Sequence, residues 1–116
     1  LANIYRKELK DLPLIISKIK KGYYSSHHLF VVRIKNNKQK ISRDLLYKLL
    51  KKKGIQSNVH YIPIHTHPYY KKKGFQDKSF PKTMKYYKNC LSLPMHAGLT
   101  IKKQKVVINF LKKFLL

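Results

Sequence analysis

A chain of 116 residues with 43% apolar content has material for one modest domain with a single core, and a second domain is not expected. One cysteine, Cys90, excludes an internal disulfide, and no apolar run approaches the roughly 20 residues that a membrane-spanning helix needs. The formal net charge of +23 favours phosphate-bearing partners, but arginine, the side chain suited to reading base edges, occurs only at Arg6, Arg33 and Arg43.

The first third of the chain predicts a helix followed by a strand. Apolar residues at helical spacing predict an incoming helix up to about residue 12, which Pro13 ends. Because this helix starts at the first residue, which is Leu and not Met, we expect the chain to be part of a longer protein. Residues 14–19 fit a short helix or a strand equally well, whereas the continuous apolar run of residues 29–34 predicts a central strand.

The middle of the chain predicts a helix flanked by loops and a second strand. Residues 35–40 are polar and predict a loop, after which Ser42 and Asp44 suit a helix start. Leucines at helical spacing extend this helix towards Gly54, which fits the left-handed position behind a lysine-rich helix end. Residues 55–62 predict a second strand, and if the two strands are parallel, the crossover should be right-handed.

The remainder predicts two helices separated by an extended segment. Pro81 suits the first turn of a short helix, and residues 91–94 are extended. Thr100 can cap a final amphipathic helix, whose apolar face is formed by Ile101, Val107, Ile108, Leu111 and Leu115. The predicted fold class is therefore α+β, a small two-layer domain in which helices cover a short sheet. We assign residues 1–22 to a linking helix region and residues 23–116 to the domain itself.

The segment 59–70 concentrates side chains that are suited to recognition. It holds three histidines, three tyrosines and two prolines: His60, His65, His67, Tyr61, Tyr69, Tyr70, Pro63 and Pro68. An apolar run that stops at a proline predicts a strand leading into a rigid polar loop, and such loops often carry binding residues. A metal site is disfavoured because no acidic residue lies between Asp44 and Asp77 and the histidine spacing matches no common zinc pattern.

Four short motifs, taken in order, resemble one family. They are His28-Leu29-Phe30-Val31-Val32; Arg43-Asp44-Leu45-Leu46 with Gly54-Ile55; Val59-His60-Tyr61-Ile62-Pro63-Ile64-His65; and Leu91-Ser92-Leu93-Pro94-Met95-His96 with Leu99-Thr100. The chain resembles the carboxy-terminal part of the pyridoxal-phosphate-dependent sugar aminotransferases of the DegT/DnrJ/EryC1/StrS group. The pairing of His60-Tyr61-Ile62-Pro63 with Pro68-Tyr69-Tyr70 is most similar to the branch that aminates C4 of a UDP-linked 4-keto-6-deoxy-N-acetylhexosamine in pseudaminic acid biosynthesis.

The resemblance implies the small domain of a fold type I aminotransferase whose large amino-terminal domain holds the pyridoxal phosphate. Such enzymes move an amino group from glutamate to the cofactor and then to a keto-sugar. The family's cofactor lysine precedes a Gly-Glu-Gly-Gly-type segment, and the four glycines of this chain stand apart. The resemblance therefore implies no catalytic or cofactor-binding residue here, and the histidine spacing indicates no metal-binding residue. It also implies a homodimeric parent enzyme, without which the chain is inactive. Because the sequence shows neither a membrane-spanning run nor a leader, we expect that parent to be cytoplasmic.

The resemblance also implies that His60, Tyr61 and His65 contact the sugar nucleotide, while a purely structural role for each stays open. Imidazole and phenol groups can bond sugar hydroxyls, and a histidine can also meet a pyrophosphate oxygen. The alternative function is a lysine-rich nucleic-acid-binding module in which exposed tyrosines stack on bases. We expect neither specific nucleic acid nor membrane as a partner of the enzyme.

Overall fold

The computed structural model describes residues 1–35 and 40–116, and within these ranges the chain forms a three-stranded antiparallel sheet with helices around it. The strands are β1 (Leu14–Ile16), β2 (Phe30–Ile34) and β3 (Cys90–Leu93). The helices are α1 (Ala2–Glu8), α2 (Arg43–Lys52), α3 (Pro68–Lys72), α4 (Pro81–Asn89) and α5 (Ile101–Leu115), with short 3-10 turns at Ile64–Thr66 and Asp77–Ser79. The predicted α+β class, with helices covering a short sheet, is confirmed.

Strand β2 lies at the centre of the sheet, between β1 and β3. Val32 is opposite Ile16 of β1 and Leu91 of β3, and all pairs are antiparallel. Phe30, Val32 and Ile34 are buried, as expected of a strand that has neighbours on both edges. The predicted central strand is confirmed, and the undecided segment after Pro13 is a strand.

The predicted second strand at residues 55–62 is wrong, and so is the parallel strand-helix-strand unit. Within the described ranges this segment makes one isolated antiparallel bridge, between Asn58 and Ser92. The chain turns at Gly54, whose φ is +74°, and leaves the sheet after the bridge towards Pro63, which has no amide hydrogen to donate. The strand that pairs with β2 instead comes from residues 90–93, far along the chain, and it runs antiparallel.

The helix ends follow the local chemistry that the sequence indicated. Ser42 and Thr100 accept hydrogen bonds from the amides of Leu45 and Lys103, each at 3.2 Å, and so cap α2 and α5. Helix α5 buries Gln104, Val107, Ile108, Leu111 and Leu115. Ile101, which was predicted to share that face, is exposed. Of the predicted loop at residues 35–40, positions 36–39 lie outside the described residues.

The hydrophobic core includes residues from both sides of the proposed boundary at residue 22. Tyr5 and Leu9 are fully buried among Leu46, Leu91 and Leu111. The Tyr5 hydroxyl donates a hydrogen bond to the carbonyl of Pro94 at 3.0 Å, and burial raises the pKa of this phenol. Helix α1 thus packs as part of the core, and the assignment of residues 1–22 to an interdomain link stays a prediction about the complete protein.

Helix α2 offers a direct test of the core, because Leu46 is fully buried and its neighbour Leu45 is exposed. Leu46→Ala removes buried methyl groups and leaves a cavity, so we expect it to lower the free energy of unfolding by about 2–5 kcal/mol. Leu45→Ala is the matched control and should change it by no more than about 0.5 kcal/mol. Urea unfolding followed by circular dichroism measures both, and equal effects would contradict this packing.

The ion pair between Glu8 and Lys112 makes the packing of α1 on α5 depend on pH. Lys112 Nζ donates to Glu8 Oε2 at 2.6 Å, and this hydrogen bond, with the lysine charge, lowers the pKa of the carboxyl. A lowered pKa adds stability above the unfolded-state pKa, which is lost as the pH falls through the folded-state value.

We therefore expect Glu8→Gln to lower the free energy of unfolding at neutral pH. The decrease should be smaller than the one caused by Leu46→Ala. The difference should shrink on acidification below the ordinary range of a glutamate carboxyl, and also in high salt. Thermal unfolding at several pH values measures it, with Asp11→Asn, at an exposed position in the same region, as the control. A difference that is independent of pH would argue against the ion pair.

Candidate functional site

His60 stands where two cavities of the described structure meet. The first, which we call the helix-end cavity, has a volume of about 640 Å³ and lies beside the end of α2, where Tyr47, Lys51 and Ser57 line it. The second, the histidine cavity, has a volume of about 690 Å³ and is lined by His27, His28, His60 and His96. Leu29, His60 and Met95 line both cavities, so they form the wall between them.

The imidazole of His60 is held by the two residues of the isolated bridge. Its Nδ1 lies 2.7 Å from Ser92 Oγ, and its Nε2 lies 3.3 Å from Asn58 Nδ2. The backbones of Asn58 and Ser92 exchange hydrogen bonds of 3.1 and 2.7 Å, which fix the two side chains relative to each other. Ser92 is buried on β3, so the ring is anchored to the sheet.

Tyr61 extends the His60 wall into solvent. Its side chain is 76% exposed, and its ring meets the His60 ring edge-on with centroids 4.7 Å apart. Ile62 and Ile64, in the same loop, are also exposed. An exposed aromatic ring beside exposed aliphatic side chains is typical of a surface that is covered by another part of a protein or by a ligand.

His65 lies away from this wall. It is buried at 5% exposure, and its ring stacks on Phe80 with centroids 4.4 Å apart. Its Nε2 lies 3.6 Å from Asp77 Oδ1, beyond hydrogen-bond distance, and has no hydrogen-bond partner among the described residues. The structure thus brings His60 and Tyr61 together and places His65 inside the packing of the loop that ends at α4.

The structure adds residues that the sequence did not single out. Asn58 and Ser92 hold His60, and the buried Oγ of Ser57, in the helix-end cavity, has no hydrogen-bond partner among the described atoms. His28, two residues before β2, is exposed and lines the histidine cavity. Only the isolated bridge could have indicated Asn58 and Ser92, and no local pattern marks it.

The residues of these cavities do not fit a complete site for pyridoxal phosphate. That cofactor takes a lysine amine on its aldehyde carbon and an acidic partner at its pyridine nitrogen. Lys51 lines the helix-end cavity, but among the described residues none of the chain's four acidic side chains lines either cavity. The described part of the chain also forms no group of three or more His, Cys, Asp or Glu placed to bind a metal.

Comparisons with curated proteins give relatives much longer than this chain. MJ1066 of Methanocaldococcus jannaschii, an uncharacterised protein, is 36% identical over 115 residues, which cover 97% of this chain and 30% of that protein. SpsC of Bacillus subtilis, a spore coat polysaccharide biosynthesis protein, is 33% identical over 103 residues, covering 86% of this chain and 26% of SpsC. The chain therefore spans less than a third of the length of either relative.

Solved structures show the same fold. Spr1654 from Streptococcus pneumoniae, assigned to the sugar aminotransferases and solved in apo, PMP and PLP forms, superposes with a TM-score of 0.86 at 28% identity. DesV from S. venezuelae, solved in complex with a ketimine intermediate, gives 0.84 at 27% identity. Each match covers 97% of this chain and less than a third of the other protein, 28% for Spr1654 and 29% for DesV.

PseC from Helicobacter pylori, an aminotransferase involved in the biosynthesis of pseudaminic acid, matches 98% of this chain and 30% of its own, with a TM-score of 0.73. Its identity is 24%, so this likeness shows the fold alone.

These matches give no support to the nucleic-acid-binding alternative. Within the described ranges, no helix is both long and apolar enough to cross a membrane. Residues 1–112 match the DegT/DnrJ/EryC1/StrS aminotransferase family, and the chain belongs to that family.

Proposed function

We propose that this chain is the carboxy-terminal part of a cytoplasmic, homodimeric sugar-nucleotide aminotransferase. The complete enzyme takes an amino group from glutamate by way of pyridoxal phosphate and transfers it to C4 of a UDP-linked 4-keto-6-deoxy-N-acetylhexosamine, a step of pseudaminic acid biosynthesis. The observation that carries the proposal is the superposition of 97% of the chain on Spr1654, which is known in PLP and PMP forms. The pseudaminic acid branch is supported by the His60-Tyr61-Ile62-Pro63 motif together with Pro68-Tyr69-Tyr70.

The residues that line the cavities indicate which tasks this chain performs and which belong to the rest of the enzyme. The cofactor and the group that exchanges its proton are held by the rest of the enzyme, because the described cavities lack an acidic partner for the pyridine ring. This chain supplies a wall to the substrate cleft, with His60 and Tyr61 as the side chains that meet the sugar nucleotide. Clefts of this kind usually lie between domains, and the exposed Tyr61 beside His60 supports this assignment.

We propose that His65 positions the loop that carries His60 and Tyr61. Its buried ring stacks on Phe80, so it ties the loop that follows Pro63 to the residue that precedes α4. Direct contact with substrate, the prediction from sequence, would require this loop to open. We therefore assign substrate contact to His60 and Tyr61. Evidence that His65 also contacts the substrate would change this assignment.

A chimaera tests the proposed function. In it this chain replaces the matched 28% of Spr1654, and absorbance follows conversion of the PLP form to the PMP form by glutamate and its return by the keto-sugar nucleotide. We expect both half-reactions to proceed. His60→Ala should lower kcat/KM for the sugar about tenfold, the effect of losing about 1.4 kcal/mol, and leave the glutamate half-reaction nearly unchanged.

The matched control is His67→Ala, because His67 is exposed in the same segment and lies outside both cavities. It should leave both half-reactions unchanged. A chimaera that reacts with glutamate but not with the keto-sugar would contradict the proposed substrate. Equal effects of the two histidine changes would contradict the assignment of His60.

The role of His65 has its own test. His65→Ala removes a stacked, buried ring, so we expect it to lower the free energy of unfolding by about 1–3 kcal/mol and to speed amide exchange at residues 64–80. Its effect on KM for the sugar should be smaller than that of His60→Ala. Unchanged stability together with a larger rise in KM would show that His65 contacts substrate instead.

A further inference from the structure

The orientation of the Asn58 side chain is decided by its own backbone neighbour. The amide of Val59 donates a hydrogen bond of 2.7 Å to Asn58 Oδ1, so the oxygen of the side-chain amide faces the main chain. The other end of that amide is Nδ2, which can only donate. It is Nδ2 that lies 3.3 Å from His60 Nε2.

This arrangement determines which nitrogen of His60 carries the proton. Since Asn58 Nδ2 brings a hydrogen towards Nε2, that nitrogen must offer its lone pair and be unprotonated. A neutral imidazole has one N–H, which then lies on Nδ1 and donates to Ser92 Oγ at 2.7 Å. An imidazolium would set an N–H of its own against the Asn58 NH₂ group.

The acceptor of Nδ1–H is fixed by the sheet. Ser92 is buried on β3, and its backbone is bonded to that of Asn58. Within the described residues, no carboxylate that could accept a hydrogen from Nε2 lines either cavity. The geometry therefore offers Nδ1 an acceptor and offers Nε2 a donor.

We propose that Asn58 and Ser92 are positioning residues that hold His60 as the neutral Nδ1–H tautomer, so that its Nε2 selects a hydrogen-bond donor of the ligand. The selected group is a hydroxyl or N–H of the sugar, and a diphosphate oxygen, which only accepts, is refused. At 3.3 Å the Asn58 contact is longer than a strong hydrogen bond, so a ligand hydroxyl can replace it. The inference rests on the proposed function in taking the ligand to be a sugar nucleotide.

The test reads the tautomer directly. Nitrogen NMR of the full chain labelled in histidine distinguishes pyrrole-type from pyridine-type nitrogens, and His60→Gln identifies the signals of His60 by their loss. At neutral pH we expect Nδ1 of His60 to be pyrrole-type and Nε2 to be pyridine-type. A pyrrole-type Nε2 in the wild type would overturn the proposal.

Two variants test the positioning residues. Asn58→Asp replaces the donor with an accepting carboxylate oxygen of the same shape, so Nε2 should gain a proton and become pyrrole-type. Ser92→Ala removes the acceptor of Nδ1–H, so both tautomers should become populated. The matched control, Asn109→Asp, places the same charge at an exposed position of α5 and should leave His60 unchanged. An unchanged His60 in Asn58→Asp would overturn the proposal.

Two further measurements separate this inference from the proposed function. Titration of the chain with inorganic pyrophosphate should leave Nε2 pyridine-type, and its protonation by that anion would overturn the selection of donors. In the chimaera, Asn58→Asp should raise KM for the keto-sugar about tenfold without changing the glutamate half-reaction. If His60 has the expected tautomer but the chimaera does not turn over the keto-sugar, the inference is supported and the proposed function is overturned. If the chimaera turns over the keto-sugar but His60 has the opposite tautomer, the proposed function is supported and the inference is overturned.

Discussion

The bridge between Asn58 and Ser92 is the constraint on which the site depends. It joins the segment that leaves helix α2 to the outer edge of strand β3, whose other edge is paired with β2. Because the two backbones are bonded to each other, their side chains reach the same imidazole from opposite ends of its ring. His60 is thereby held as a wall between the helix-end and histidine cavities, and Tyr61 is carried outward beside it.

The rest of the chain makes that bridge rigid. Buried residues of α1, α2 and α5 pack on the sheet that carries Ser92. The Tyr5 hydroxyl donates a hydrogen bond to the carbonyl of Pro94, the residue that follows β3 in the chain. Stability from such burial is large in sum but marginal after the entropy of ordering the chain is subtracted. The loop that contains His65 packs separately, through the stacking of that ring on Phe80.

Sequence reasoning succeeded where the controlling interactions are local. The caps at Ser42 and Thr100, the glycine at position 54 and the central strand are all dictated by residues within a few positions of each other. It failed at residues 55–62, because β-branched residues near a proline look like a strand whether or not an edge is available to pair with. It also treated His60 and His65 alike, although one lines two cavities and the other is buried under Phe80.

The sequence was sufficient for the fold class, for helices α1, α2, α4 and α5 and for the resemblance to the aminotransferase family, since periodicity, capping residues and ordered motifs are properties of neighbouring residues. It did not predict α3, which lies in the segment expected to be a loop. The tertiary structure decided which strand pairs with β2, which histidines line a cavity and which partner each nitrogen of His60 meets. Those outcomes depend on partners far apart in the chain, as in the contact between His60 and Ser92, which are 32 positions apart. Contacts at such separation form only when the core brings the elements together, so no local pattern encodes them.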